Sequence, residues 1–302
     1  MDEIYNIESI EQIHQLLGLG EVKHPLVSVV HMKNFPKETD FEGMKFSSEL
    51  YMISLKDGVE GSIQYGRSSY DFSDGTMIFT KPHQVIYGTT ENICHDSKGW
   101  LLLFHPDLIR KSELGRTISQ YSFFDYEVNE ALHLSEEEQQ IVTDLVLKIE
   151  REYQQNIDKH SQKLIVSNIE LLLGYSTRYY DRQFYVRTNL HQDHISEFES
   201  LLRHYFNSNK PTELGLPSVK YCGEQLNMSP NYLSDLLKKE TGKSAKDHIN
   251  GYVVNRAKNK LLGTTDSISA IAYDLGFEYP QHFSKLFKSK TGVSPAQYRS
   301  QN

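Results

Sequence analysis

Two cysteines, Cys94 and Cys222, are all that the 302 residues contain. So far apart, they frame neither a disulfide scaffold nor a zinc set, and a reducing, cytoplasmic setting is expected. No run approaches about 18 consecutive apolar residues, which excludes a membrane helix. The start, Met1-Asp2-Glu3-Ile4-Tyr5, lacks the basic and apolar stretches of a secretory signal. Basic residues are also in deficit, 32 Lys and Arg against 40 Asp and Glu, for a net charge of −8. Taken whole, that balance argues against a polyanionic partner. What the chain does have is 38% hydrophobic and 11% aromatic residues, enough to exclude a largely disordered polymer. Its length suggests two domains.

The acid is not spread evenly. Residues 1–194 carry 18 basic and 30 acidic side chains, net −12, whereas residues 195–302 carry 14 and 10, net +4. Such asymmetry between the two parts hints at nucleic-acid contact at the basic end.

The hydrophobic period changes along the chain in the same sense. Ile7, Ile10, Ile13 and Leu17 suggest a short helix ended by Gly18 and Gly20. Short β-rich runs follow at Leu26–His31, Glu49–Leu55, Ser62–Tyr65, Thr76–Thr80, Gln84–Tyr87 and Trp100–Phe104. Turn signals such as Lys56-Asp57-Gly58, Ser73-Asp74-Gly75 and Lys81-Pro82 punctuate them, the pattern of a small barrel or sandwich. Pro106 fits the first turn of a helix over 106–114, stopped at Gly115. Ser135 and Glu138 make a capping box for a helix reaching about residue 157. In the next helix, about 160–181, Ile165, Ile169, Leu172, Ser176 and Tyr179 recur at spacings 4, 3, 4, 3, a coiled-coil-like seam. A second stripe, Leu164, Leu171 and Tyr175, lies beside it. A dimer face and a single wide buried stripe are both open. Residues 182–193 lose the pattern and read as a linker, and a helical block fills the rest.

The strongest signal is a self-match at an offset of 50. Leu236-Leu237-Lys238-Lys239-Glu240-Thr241-Gly242-Lys243-Ser244-Ala245 aligns with Leu286-Phe287-Lys288-Ser289-Lys290-Thr291-Gly292-Val293-Ser294-Pro295. In the second copy Ile268, Ile271, Ala272 and Leu275 form one apolar face, with Asp266 or Ser267 as cap and Gly276 at the turn. Phe283, Leu286 and Phe287 open a second helix, ended by Gly292. Two short helices, a tight turn and a small residue at the crossing are the logic of a helix-turn-helix. The first copy runs through Val219, Cys222, Gly223 and Leu226, turns at Asn227, which tolerates positive φ, and resumes with Ser229 as N-cap and Pro230 at the first position. One helix over 245–262 joins the copies. At about 1.5 Å per residue it spans about 27 Å, which suits two helices entering successive major grooves on one face of B-DNA.

Tyr232-Leu233-Ser234, Leu237 to Gly242, Arg256-Ala257, Ile271-Ala272, Gly276-Phe277, Phe283-Ser284, Phe287-Lys288, Thr291-Gly292, Ser294-Pro295 and Tyr298-Arg299 resemble the AraC/XylS transcription regulators over roughly 195–300. The N-terminal part is similar to that family's sensing domain more loosely. The resemblance implies an α+β chain. A cupin-like β-barrel (jelly roll) with dimerisation helices would occupy 1–181, a linker 182–193, and an all-α DNA-binding domain 194–302, with two helix-turn-helix units joined by a linker helix. Pro280 departs from the family, which often places a polar base reader there. Asp235 departs too, standing where a basic residue is common.

On the first recognition helix Asn231, Ser234, Asp235 and Lys238 are left facing outward once the leucines point in. Asn231 suits adenine; Asp235 could accept from cytosine N4 but pairs more naturally with a neighbouring Lys or Arg. The second helix offers Gln281 for adenine, Lys285 for guanine, and His282 for phosphate or water, beside its place among the base-reading candidates. Phosphate contacts are expected from Ser229, Tyr232, Lys238, Lys239, Lys243, Lys246, Lys288, Lys290 and Arg299.

In the N-terminal part His31, His83, His95 and His105 are scattered with no His-x-His pair, and no phosphate loop or nucleophile elbow appears. No enzyme activity, cofactor or metal is expected. Tyr65, Arg67, Tyr70, Phe72, His83 and Trp100 are candidates for an effector pocket, Arg67 suiting an anionic or sugar ligand. The expected partners are double-stranded DNA and a second copy of the chain, with RNA polymerase and a small-molecule effector as further candidates and no membrane. A rival reading, a cupin-type enzyme or small-molecule-binding protein with an accessory helical domain, leaves the repeat unexplained. An architectural DNA binder without sequence choice fits Asn231 and Gln281 poorly.

Overall fold

The structure is a computed structural model that describes residues 4–35, 44–57, 59–60, 62–65, 68–71, 75–87, 92–93, 98–126, 130–186 and 188–301. The chain divides into two compact units, residues 1–185 and 186–302.

The first unit is mixed α+β. Its strands are β1 (Ile4–Ile7), β2 (Val27–His31), β3 (Lys45–Ser48), β4 (Tyr51–Lys56), β5 (Val59–Glu60), β6 (Ser62–Tyr65), β7 (Ser68–Asp71), β8 (Thr76–Thr80), β9 (Val85–Tyr87), β10 (Asn92–Ile93), β11 (Trp100–Phe104) and β12 (Leu132–His133). Its helices are α1 (Ile10–Leu16), α2 (Pro106–Ile109), α3 (Glu113–Thr117), α4 (Glu136–Gln154) and α5 (Ser161–Val186). The largest sheet runs β12-β8-β4-β11-β2, with smaller sheets β1-β3-β9, β10-β5 and β6-β7. Among the described residues these sheets stay open, so the expected closed barrel is replaced by the coarser finding of a sheet-and-helix unit. Three of the expected strand runs return within a residue or two of their expected ends, and Ser62–Tyr65, Thr76–Thr80 and Trp100–Phe104 coincide.

Three local expectations change. Ile7 belongs to strand β1, paired in parallel with Ser48, and the helix starts only after Ser9, whose side chain accepts the Gln12 N–H. The single helix over 106–114 is two, because the chain turns at 110–112 and Ser112 caps a new start. Gly115 is no stop. It lies inside α3, where a Cβ would sit 2.3 Å from the Ile109 carbonyl oxygen. Residues 182–186 and 188–193, expected as patternless chain, lie in helices.

Packing places α1, α4 and α5 against the sheets. Ile10, Ile13 and Leu17 meet Val30, Leu50 and Leu103 in one core cluster. The capping box of α4 is complete, with Ser135 Oγ accepting the Glu138 N–H and Glu138 accepting the Ser135 N–H. The Tyr153 hydroxyl on α4 accepts the Val29 N–H, and burial pushes its phenol up to about 12. On α5, Gln183 accepts the His133 N–H and donates to the Ala131 carbonyl, completing the sheet edge at β12. Tyr180 stacks on Phe123, which packs on Phe79 at 4.5 Å. These contacts bury one side of α5: Ile165, Ile169, Leu172 and Ser176 are fully buried, and Tyr179 nearly so. The expected dimer seam is therefore core of its own unit. Its partner stripe is the outward one, with Leu164 and Leu171 about half exposed.

The second unit is all helix: α6 (Thr188–Phe206), α7 (Lys210–Leu214), α8 (Val219–Leu226), α9 (Pro230–Thr241), α10 (Ala245–Gly263), α11 (Ile268–Asp274), α12 (Pro280–Thr291) and α13 (Pro295–Gln301). Phe198, Leu202 and Tyr205 of α6 are buried in it. Each fully buried Leu or Phe side chain contributes about 1.5–3 kcal/mol relative to exposure.

Candidate nucleic-acid interface

The two halves of the repeat fold into two helix pairs by the same local chemistry. In the first, Ser218 caps α8, and Asn227 takes the left-handed conformation (φ 54°, ψ 44°) that ends it. The Met228 N–H then returns to the Gly223 carbonyl at 2.9 Å. Gly223 is needed there: a Cβ would lie 2.5 Å from the Met228 carbonyl oxygen. Ser229 accepts the Tyr232 N–H and Pro230 starts α9. In the second pair Ser267 caps α11, Gly276 (φ 94°) makes the turn, and the Phe277 N–H returns to the Ala272 carbonyl at 2.9 Å. From the left-handed residue to the first proline is three residues in the first pair and four in the second.

The helix α10 between them has 19 residues, about 28 Å of rigid spacer. Both pairs are tied to it. Thr241, at the end of α9, lies 2.7 Å from His248 Nε2, whose imidazole is held below its ordinary pKa by burial and by the Lys243 charge. Lys260 pairs with Asp274 of α11 at 2.7 Å, Lys290 of α12 pairs with Asp247 at 2.9 Å, and Arg299 Nε donates to the Leu261 carbonyl. The Lys290 ammonium and the Ser244 hydroxyl hold the Asp247 carboxyl below the usual carboxylate range.

The expected DNA-facing residues separate on this frame. Gln281, His282, Lys285 and Lys288 are exposed along α12, and Lys238, Lys239, Lys243 and Lys246 are exposed at the end of α9 and the start of α10. Asn231, Ser234 and Asp235 are half-buried on α9. Four expected phosphate contacts are otherwise engaged. Tyr232 is 4% exposed because it shares the inward face of α9 with Leu233 and Leu236. The hydroxyl of Ser229 is buried and spent on capping. Lys290 faces Asp247, and Arg299 faces the end of α10. The helices also differ in charge: α12 has three lysines and no carboxylate, whereas α9 has Lys238 and Lys239 against Asp235 and Glu240.

One exposed residue was missed. Tyr279, at the start of α12, is 46% exposed, its ring 5.5 Å from that of His282. The available signal was its place in the repeat, where the first copy has a capping serine.

Of the six residues expected to line an effector pocket, only His83 and Trp100 have described side chains. Arg67 and Phe72 lie outside the described residues, and Tyr65 and Tyr70 are described only as backbone of the β6-β7 hairpin. His83 is exposed in a left-handed turn (φ 65°). Trp100 is fully buried, its indole N–H donated to Thr143 of α4 at 3.0 Å, so it is core. Among the described residues no group of three His, Cys, Asp or Glu side chains is placed to hold a metal, and no helix is long and apolar enough to cross a membrane.

Comparison with known proteins bears on the second unit most directly. Residues 222–301 match a helix-turn-helix domain family. The chain is 34% identical over 101 residues to the HTH-type transcriptional regulator YtdP of Bacillus subtilis, covering 33% of this chain and 12% of that protein. It thus spans about an eighth of that relative's length. It is 24% identical over 234 residues to the HTH-type transcriptional activator RhaS of Escherichia coli, covering 76% of this chain and 78% of RhaS. A solved structure of a transcriptional regulator with an AraC-type DNA-binding domain, from Chromobacterium violaceum, shares 25% identity over 36% of this chain and 92% of that one, with a TM-score of 0.32. The family match falls on the duplicated, Gly- and Asn-turned helix pairs and the long helix between them, and there the chain is similar to HTH-type transcription regulators.

Proposed function

We propose that this chain is a sequence-specific DNA-binding transcription regulator that sets α9 and α12 into successive major grooves. The single observation that carries the reading is the pair of capped helix-turn-helix units, both tied to the one helix α10. A rigid helix of about 28 Å is near the roughly 34 Å between grooves on one face of B-DNA. Base reading rests on Gln281 and Lys285, with Asn231, Ser234, Asp235 and His282 nearer the margin, and the exposed lysines supply phosphate contacts. The lysine-only charge of α12 makes the second unit the stronger electrostatic anchor.

Residues 1–181 act as a cupin-like sensing and dimerising domain, 182–193 as the joining segment and 194–302 as the DNA-binding domain. The outward stripe of α5, Leu164, Leu171 and Tyr175, serves as the contact between two copies. A small-molecule effector and RNA polymerase are the further partners, and the setting is cytoplasmic. An effector would act by its differential affinity for two arrangements of the chain. The reading includes no enzymatic step. Selection of bound duplexes from a random pool at fixed salt tests it: a recurring motif with two half-sites about one helical turn apart is expected, and failure to enrich any motif removes the reading.

A further inference from the structure

We propose that Tyr279 is a specificity-determining residue of the second helix-turn-helix unit, reading the 5-methyl group of a thymine through its ring; this rests on the DNA-binding reading above. Serine side chains cap α8, α9, α10 and α11 at Ser218, Ser229, Ser244 and Ser267, and Ser294 Oγ accepts the Gln297 N–H at the start of α13. Tyr279 stands at the start of α12 without any side-chain cap. A tyrosine there forgoes a stabilising interaction that the other three helices of the two helix pairs, and α10 between them, keep, and a local rule broken without structural compensation points to function.

The geometry says what that function is. Tyr279 is 46% exposed and extended in backbone (φ −127°, ψ 120°). Tyr279, His282 and Lys285 are all exposed at the N-terminal part of α12, and the Tyr279 and His282 rings are neighbours there. The His282 ring meets it edge-on, at 68° and 5.5 Å between centroids, which steadies a side chain otherwise free to swing. In a helix-turn-helix the N-terminal residues of the second helix approach the base edges. The apolar feature presented there is the thymine 5-methyl, the one group that an aromatic edge recognises and a carboxamide or ammonium does not. Tyr279 thereby adds an apolar reader beside Gln281 and Lys285, next to Pro280, which can read nothing by hydrogen bonding.

The test uses the full chain and the duplex motif selected by it. Each thymine is replaced singly by deoxyuridine, which deletes only the methyl group. For the native protein one position is expected to lose about three- to fivefold in affinity, the scale of one buried methyl. Tyr279→Ser restores a cap, so its melting midpoint should equal or exceed the native one. That variant should bind thymine and uracil at this position equally. Tyr279→Phe should keep the native ratio. The inference is overturned if Tyr279→Ser keeps the native ratio at every thymine, or if Tyr279→Phe weakens all sequences alike, which assigns the hydroxyl to a phosphate instead. A native chain that selects no motif removes the DNA reading with it. A native chain with a motif and an indistinguishable Tyr279→Ser removes only this inference.

Discussion

Lys290, on the second helix of the second unit, places its ammonium 2.9 Å from the Asp247 carboxylate near the start of α10. The same carboxylate accepts from Ser244, the N-cap of α10. One lysine of the basic helix therefore braces α12 against the central helix, while Lys285 and Lys288 remain exposed.

That brace has a pH signature. The Asp247 carboxyl is held below its ordinary value of 3.8 by Lys290 and Ser244. A depressed folded-state pKa contributes stability that is present above the unfolded value and lost as pH falls through the folded one. Native protein should lose this contribution on acidification below about pH 4. Lys290→Ala should flatten that part of the stability-against-pH curve, measured by urea unfolding at a series of pH values. An identical acid limb in the variant would show that the pair does not act in solution.

Lys285→Ala and Lys288→Ala should separate readout from clamping. Lys285→Ala is expected to relax base preference at one position of the selected motif, costing about 1–3 kcal/mol against the right base and little against others. Lys288→Ala should weaken all duplexes nearly equally and reduce the salt slope by about 0.9. Equal losses on specific and random DNA for both variants would cancel the assignment of Lys285.

Two glycines in the second unit should respond oppositely to alanine. Gly223→Ala drives a Cβ to 2.5 Å from the Met228 carbonyl oxygen, a backbone atom that cannot rotate away. About 1–3 kcal/mol of destabilisation is expected from that overpacking. Gly251 sits inside α10 with nothing within 4 Å of its Cβ position. Gly251→Ala should stabilise by roughly 0.5–1 kcal/mol through helix propensity. Chemical denaturation of both variants decides the matter, and a tolerated Gly223→Ala would mean that the turn opens.

How far the sequence discloses all this depends on what each feature needs. The helix-turn-helix pairs are written in local chemistry, since Asn227, Gly276, Ser229, Ser267 and Pro230 act within a few residues of themselves. The strands of the first unit are visible for the same reason, as β-rich runs between turn residues. Facing is a different quantity. Two stripes on α5 are evident from spacing, yet which one docks depends on Gln183 meeting β12 and Tyr180 meeting Phe123, pairings about fifty residues apart. Ile7 and Gly115 mislead because a strand pairing with Ser48 and a contact with the Ile109 carbonyl override the local pattern. Lys290 and Arg299 look like surface cations until α10 is placed beside them.

The α5 stripes give the sharpest contrast between two substitutions on one helix. Leu172 is fully buried and Leu171, its neighbour, is 49% exposed. Leu172→Asp puts a carboxylate into the core of the first unit and should cost about 4 kcal/mol or more, seen as unfolding of that unit by circular dichroism. On the outward side Leu164, Asn168, Leu171, Tyr175 and Arg178 follow one another at spacings 4, 3, 4, 3, the seam of a two-stranded contact. The double variant Leu164→Asp, Leu171→Asp should leave the fold and its melting curve at low concentration intact. It should convert a dimeric mass to a monomeric one in sedimentation or light scattering. It should also weaken binding to a paired half-site more than to a single one, because linking two binding modules multiplies their affinity only while they remain joined. An unchanged mass for the double variant would remove α5 as the contact, and a monomeric native chain would remove the dimer itself.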